Sequence, residues 1–139
     1  NSLLNPAESI DFNGNTAPFI QYTHARIQSL LRKATEQGIQ ITDTLSTDTV
    51  MESEEKQIIK VLYKYPQVVL SAGDNYSPAL IANYIYDLAK QFNHFYQETP
   101  IFKEADAGKR LFRLQISKCV ATTIRNGMKL LGIDVPDKM

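Results

Sequence analysis

Phe19, Tyr22, Arg26, Ser29 and Lys33 follow one another at steps of three and four residues. On a helix, at about 100° per residue, they fall within roughly 80° of arc. Two aromatic rings, a guanidinium, a hydroxyl and an ammonium in one line suit a nucleic-acid strand. Rings stack on bases, arginine stacks or grips phosphate, and lysine neutralises backbone charge. The same spacing also permits Phe19 and Tyr22 to pack against a loop or a neighbouring helix, because large rings are usually at least partly buried. A helical protein-interaction module docking through the Phe19/Tyr22 face is therefore the alternative. Salt separates the two readings, since RNA binding releases counterions and an apolar dock does not.

A second stripe, Lys118, Thr122, Arg125 and Lys129, shares a face at steps of four, three and four. With Lys33, its cations are candidate phosphate contacts, although a solvated helix face fits the pattern equally well. Tyr96 lies in "NHFYQETP", where a ring with a hydroxyl could stack on a base or sit half packed at the surface. The net charge is zero, but it is unevenly spread. Residues 109–139 carry seven basic residues (Lys109, Arg110, Arg113, Lys118, Arg125, Lys129, Lys138) against two acidic ones. That asymmetry suits a polyanion or another acidic partner.

Catalysis by these residues alone has little support. Cys119 has no base partner identifiable in the sequence and reads as a buried, inert thiol. His24 lies near the apolar face of its helix and reads as a core or hydrogen-bonding histidine. His94 could face either way. Glu54 and Glu55 read as partners of a helix dipole. No Walker A loop, GxGxxG or HExxH occurs, and two isolated histidines with one cysteine make no metal-ligand spacing. No apolar run approaches the roughly 20 residues that span a membrane. A single cysteine permits no internal disulfide and fits a reducing compartment.

These residues need elements to hold them. The 139 residues, 43% hydrophobic and 22% charged, suit one domain with a usable core rather than a disordered chain. A first helix is expected from Thr16 as N-cap, with Pro18 in its first turn, to Gly38 as stop. Its core face would carry Ile20, Ile27, Leu30, Leu31 and Ala34. Residues 39–51, rich in Thr, Ser and Asp, read as a flexible loop. A second helix is expected over 53–65, its start marked by Glu52, Glu54 and Glu55 and its end by Pro66. A short helix stopped by Gly73 follows, then one from Ser77 as cap to about Gln97, with Leu80, Ile81, Tyr84, Ile85, Leu88, Ala89, Phe92 and Phe95 at helical spacing. The last would run from Ala107 to Leu131, with Gly132 as its stop. Strand signals are poor. The expected fold class is all-α: four main helices and one short one.

Three separated stretches, "DFNGNTAPFIQYTHARIQSLLRKA", "SPALIANYIYDLAKQFNHFY" and "LLGIDVPDKM", resemble the C-terminal anticodon-binding (DALR-type) domain of the arginyl-tRNA synthetases. In that family an N-T-x-P-[FY]-x-Q-Y-x-x-x-R segment opens the domain, here Asn15 to Arg26. A Pro-led helix with an N-Y-x-x-x-L-A core follows, here Asn83 to Ala89. A Leu-Gly-Ile turn and a terminal methionine close it, here Leu131 to Met139. The resemblance covers essentially the whole chain and implies a helical bundle that grips the anticodon loop of arginine tRNA, the middle cytosine being a main identity element. By motif it places the anticodon contacts on Phe19, Tyr22, Arg26, Tyr96 and Met139. It also implies a cytoplasmic ligase joining arginine to tRNA with ATP and Mg. The HIGH and KMSKS types of ATP signature are absent from these 139 residues. The chain opens on Asn1 rather than Met, which fits a piece of a longer protein. Residues 1–16 then read as a junction with a catalytic domain and 17–139 as the anticodon-binding domain, binding tRNA without aminoacylating it. No cofactor is expected in this piece, no membrane partner, and a monomer.

Overall fold

The computed structural model describes residues 16–139, which are helical with irregular connections and no strand. The expected junction, residues 1–16, falls outside the described residues except for Thr16. The described residues form five helices: α1 (Thr16–Glu36), α2 (Ser53–Tyr63), α3 (Tyr65–Asp74), α4 (Pro78–Glu98) and α5 (Ala107–Leu130). This is the all-α bundle that the hydrophobic periodicity predicts. The long helices α1, α4 and α5 pack on one another, α2 lies against α4 and α5, and α3 against α4 and α2.

The core is built from the apolar faces of all five helices. Ile20, Ile27, Leu30 and Ala34 of α1 are buried with Ile58 of α2, Phe92 and Phe95 of α4, and Ile124 and Met128 of α5. Leu31, expected with them, is half-buried, whereas Thr23, His24 and Ala25 lie fully inside. In α4, Leu80 in the first turn departs from the buried stripe and is 39% exposed. Helices α4 and α5 approach closely at Gly127, where a Cβ would come 2.5 Å from Ile85 Cδ1. Only the absence of a side chain permits that contact.

Three helices end in the same way. After α1, the Ile39 amide donates to Ala34 O and Gly38 to Thr35 O; after α5, Ile133 donates to Met128 O and Gly132 to Lys129 O. These are Schellman closures, with Gly38 and Gly132 both at φ +76°. After α3, Ser77 donates to Ala72 O and Tyr76 to Gly73 O. There the left-handed residue is Tyr76, at φ 49°, and not Gly73, which lies inside α3. Pro66 both ends α2 and sits in the first turn of α3. Its missing N–H costs nothing at the second place and its ring bars continuation at the first. Thr16, expected as a cap, is already helical. Ser77 occupies the cap position of α4, but its side chain makes no capping bond.

The 39–51 segment is irregular, as its composition predicts, yet tied to α5. Gln115 accepts from the Ser46 amide at 2.9 Å and donates to Thr42 Oγ1 at 2.9 Å. Lys118 pairs with Asp43 at 2.8 Å and donates to Ile41 O at 3.3 Å.

A buried charge cluster holds the opposite end. The Arg113 side chain is 2% exposed and donates to Glu55 at 2.9 Å, Glu52 at 3.0 Å, Glu104 at 2.9 Å and Pro100 O at 2.7 Å. Glu55 also accepts from the Glu52 amide at 2.7 Å, forming a capping box at the start of α2. Glu55 is therefore an interior ion-pair partner as well as a dipole partner. The side-chain hydrogen bond from Lys109 holds the Glu52 carboxyl below the usual range. The Asp106 amide does the same for Glu104. Much of the basic excess of residues 109–139 is thus neutralised within the fold: Lys109, Arg113 and Lys118 each have carboxylate partners.

Candidate nucleic-acid interface

The outer face of α1 borders a groove of about 600 Å³, walled by α4, the α4–α5 connection and the C-terminal tail. Tyr22, Arg26, Ser29 and Lys33 line it from α1, Tyr96 from α4, and Lys138 and Met139 from the tail. The helical repeat predicts this stripe because it lies off the side of α1 that carries the buried Ile20, Ile27 and Ala34. A second lobe of about 560 Å³ shares Arg26, Lys33, Tyr96 and Phe102 with the first and extends to Lys103. Among the described residues no acidic side chain lines either lobe.

Arg26 is the centre of the groove. Its Cζ lies 5.2 Å from the Tyr22 ring centroid and 4.7 Å from that of Tyr96. Its Nη1 donates to Asn93 Oδ1 at 2.6 Å. The Asn93 amide is fixed in turn, donating to Thr23 Oγ1 and to Ala89 O, both at 2.8 Å. Tyr96 stacks on Phe92 at 6.0 Å and 20°, so its ring is steadied from the core side. The guanidinium is therefore positioned by neutral groups alone, and most of its five donors stay available to a ligand.

The tail completes the groove by lying along α1. His24 Nδ1 is 2.8 Å from Pro136 O, Gln28 donates to Asp137 Oδ1 at 3.3 Å, and Arg32 to Asp137 O at 3.2 Å. His24 is a buried, hydrogen-bonding histidine, as its place near the apolar face predicts. Burial pushes its pKa down, with the Pro136 contact opposing. Met139 is left 74% exposed at the mouth of the groove.

The structure thus brings Tyr22, Arg26, Tyr96, Met139 and Lys33 together. Phe19 stands apart: it is half-buried and packs edge-on against Tyr86 at 5.8 Å. Lys118, Arg125 and Lys129 do not line the groove either; Lys118 is engaged with the 39–51 loop, while Arg125 and Lys129 are exposed on α5. Asn93 and Phe102 are among the groove residues that the sequence pattern does not single out. Asn93 carries no pattern of its own and matters only through its partners. Phe102, in the irregular "TPIFKEADAG", is brought in by tertiary packing, with Lys33 Nζ 4.5 Å from its ring centroid. Cys119 is half-buried, and burial raises its thiol pKa, so it is no ready nucleophile. His94 lies 2.9 Å from Glu54 at the surface. Among the described residues no group of three or more His, Cys, Asp or Glu is placed to hold a metal ion, and no helix is long and apolar enough to cross a membrane.

The described residues thus form a helical bundle with a cationic, aromatic groove on one side. The chain belongs to the DALR anticodon binding domain family, whose model matches residues 20–139. Its relatives include the arginine–tRNA ligase of Flavobacterium psychrophilum, 56% identical over 99% of this chain and 22% of that protein. That of Porphyromonas gingivalis strain W83 is 51% identical over all of this chain and 23% of that protein. Among solved structures, the Thermus thermophilus arginyl-tRNA synthetase matches 93% of this chain and 22% of its own, at 31% identity and a TM-score of 0.77. This chain spans less than a quarter of the length of those relatives.

Proposed function

We propose that this chain is the anticodon-reading part of an arginine–tRNA ligase and holds the anticodon loop of arginine tRNA in the α1–α4 groove. The observation that carries the reading is the Arg26 guanidinium, fixed between Tyr22 and Tyr96 with no carboxylate partner among the described residues. Unpaired loop bases would stack on the rings, Arg26 would bond a base edge or phosphate, and Lys33 and Lys138 would neutralise the backbone. Met139, held at the mouth by the docked tail, would contact the inserted base. Phe19, Lys118, Arg125 and Lys129 would take outlying contacts.

In this reading the whole protein activates arginine with ATP and Mg and transfers it to the tRNA 3′ end, as a monomer in the cytoplasm. ATP and Mg would bind the part of the relatives' length that this chain does not span. These 139 residues would bind the tRNA without charging it, and anticodon binding would help position the distant 3′ end.

A titration tests the proposal. An arginine-tRNA anticodon stem-loop should bind about tenfold or more tighter than the same loop with a substituted middle base, the worth of one or two lost hydrogen bonds. Equal affinity at moderate salt would overturn base reading by this groove.

A further inference from the structure

We propose that Phe102 and Lys33 form a second nucleotide subsite beside the Tyr22–Arg26–Tyr96 slot, taking an unpaired loop base on the Phe102 ring and that nucleotide's phosphate on Lys33. The inference rests on the anticodon-loop reading above and extends it from one base to two. Phe102 and Lys33 line both lobes of the groove, so this subsite is continuous with the Arg26 slot.

Three observations make it a site rather than a stray ring. The ring is held on a stiff support: neighbouring Ile101 is 4% exposed, and Arg113 bonds Pro100 O and Glu104 on either side of it. The surroundings are cationic, with Lys33 and Lys103 on the same lobe and no acidic side chain there. Lys33 also differs from Arg26 in how it is held. Arg26 is locked by Asn93, whereas the Lys33 ammonium rests on the Phe102 ring at 4.5 Å. An exposed ammonium–ring contact is weaker than a stacked base. A base therefore displaces the ammonium from the ring, and the flexible four-carbon stem lets the charge swing onto the incoming phosphate. The Arg26 slot is rigid; the Phe102 subsite exchanges one partner for another.

The test uses the full chain, fluorescence anisotropy and arginine-tRNA anticodon stem-loops made abasic at each loop position in turn. Phe102→Leu should weaken the intact loop about tenfold, as expected for one lost stacked base, and lower the melting temperature only slightly, since leucine keeps the packing of this half-buried position. Phe102→Tyr should restore the affinity. One abasic position should erase the difference between Phe102→Leu and the wild type. A different position should erase the difference made by Tyr96→Leu. If Tyr96→Leu weakens binding and Phe102→Leu does not, the second subsite is overturned and the anticodon reading stands. If neither weakens it, both fall. If Phe102→Leu weakens every abasic loop equally, the ring acts by packing and the subsite is overturned.

Discussion

Arg26 and Arg113 are both half of a story about charge. Arg113 lies 2% exposed among three carboxylates within 3.0 Å, and nothing of its charge is left for a partner. Arg26 touches two aromatic rings and one amide oxygen, all of them neutral. The first arginine joins α5, the start of α2 and the α4–α5 connection. The second is held in place with its charge intact, facing a groove without acidic side chains. A cation compensated inside the fold serves the fold. A cation positioned by neutral groups is poised for a charge that comes from outside.

The largest effect that tests this contrast is on stability. Arg113→Met leaves the Glu55 carboxylate, itself 1% exposed, without its partner. Breaking a buried pair from one side costs about 3–5 kcal/mol, so the urea midpoint should fall sharply. Replacing Arg113→Met together with Glu55→Leu should recover part of the loss, because Glu55 is the one fully buried carboxylate of the three and Glu52 and Glu104 keep some contact with water. A loss below about 1 kcal/mol for the single variant would place the cluster in effective contact with water.

Arg26→Ala should do the reverse. Anticodon stem-loop affinity should fall by about ten- to a hundredfold, the worth of hydrogen bonds to a charged group, and the salt slope should drop by about 1. The urea midpoint should stay nearly constant, since Arg26 contributes one hydrogen bond to the fold. Arg26→Lys should not rescue binding, because an ammonium cannot lie flat between two rings and donate sideways. Collapse of the fold in Arg26→Ala would erase the distinction between the two arginines.

The same contrast separates what was legible in the sequence from what was not. Helices α1, α4 and α5 announce themselves, because an apolar face repeats every three or four residues and Gly38 and Gly132 mark two of their ends. The stripe Tyr22–Arg26–Lys33 is legible for the same reason: one helix carries it, so local periodicity sets its geometry. Arg113 was visible only as one more basic residue. Its three carboxylates come from positions 52, 55 and 104, and no local rule links those to position 113. Phe102 escaped for the same reason, since a bend in an irregular connection aims it. Tyr76 rather than Gly73 is the left-handed residue because α3 continues through Gly73 to Asp74, which moves its closing turn along the chain. Long-range pairing, not weak local signal, is what a single sequence withholds.

The smallest effect falls on the tail, which belongs to neither arginine but closes the groove around one of them. His24 Nδ1 donates to Pro136 O, which leaves Nε2 bare, buried and without a hydrogen-bond partner among the described residues. A second proton there would have no acceptor and would face the Arg125 charge. Burial accordingly holds the folded pKa below the ordinary 6.5, so the neutral ring is favoured in the folded chain. The unfolded or undocked chain takes up a proton that the docked one resists. Stability from this contact is therefore fully present above about pH 6.5 and is lost as pH falls from there through the folded pKa. Tail docking should weaken as the pH falls below about 6.5, by about 1 kcal/mol or less, the worth of one neutral hydrogen bond. The Met139 methyl resonance should report it, moving toward its free-peptide position while the core methyls of Ile27 and Ile124 stay put. His24→Gln keeps a side-chain donor for Pro136 O and removes the titration, so its Met139 resonance should not move over that range. A Met139 shift that persists in His24→Gln would assign the pH response to another group and leave His24 with a packing role alone.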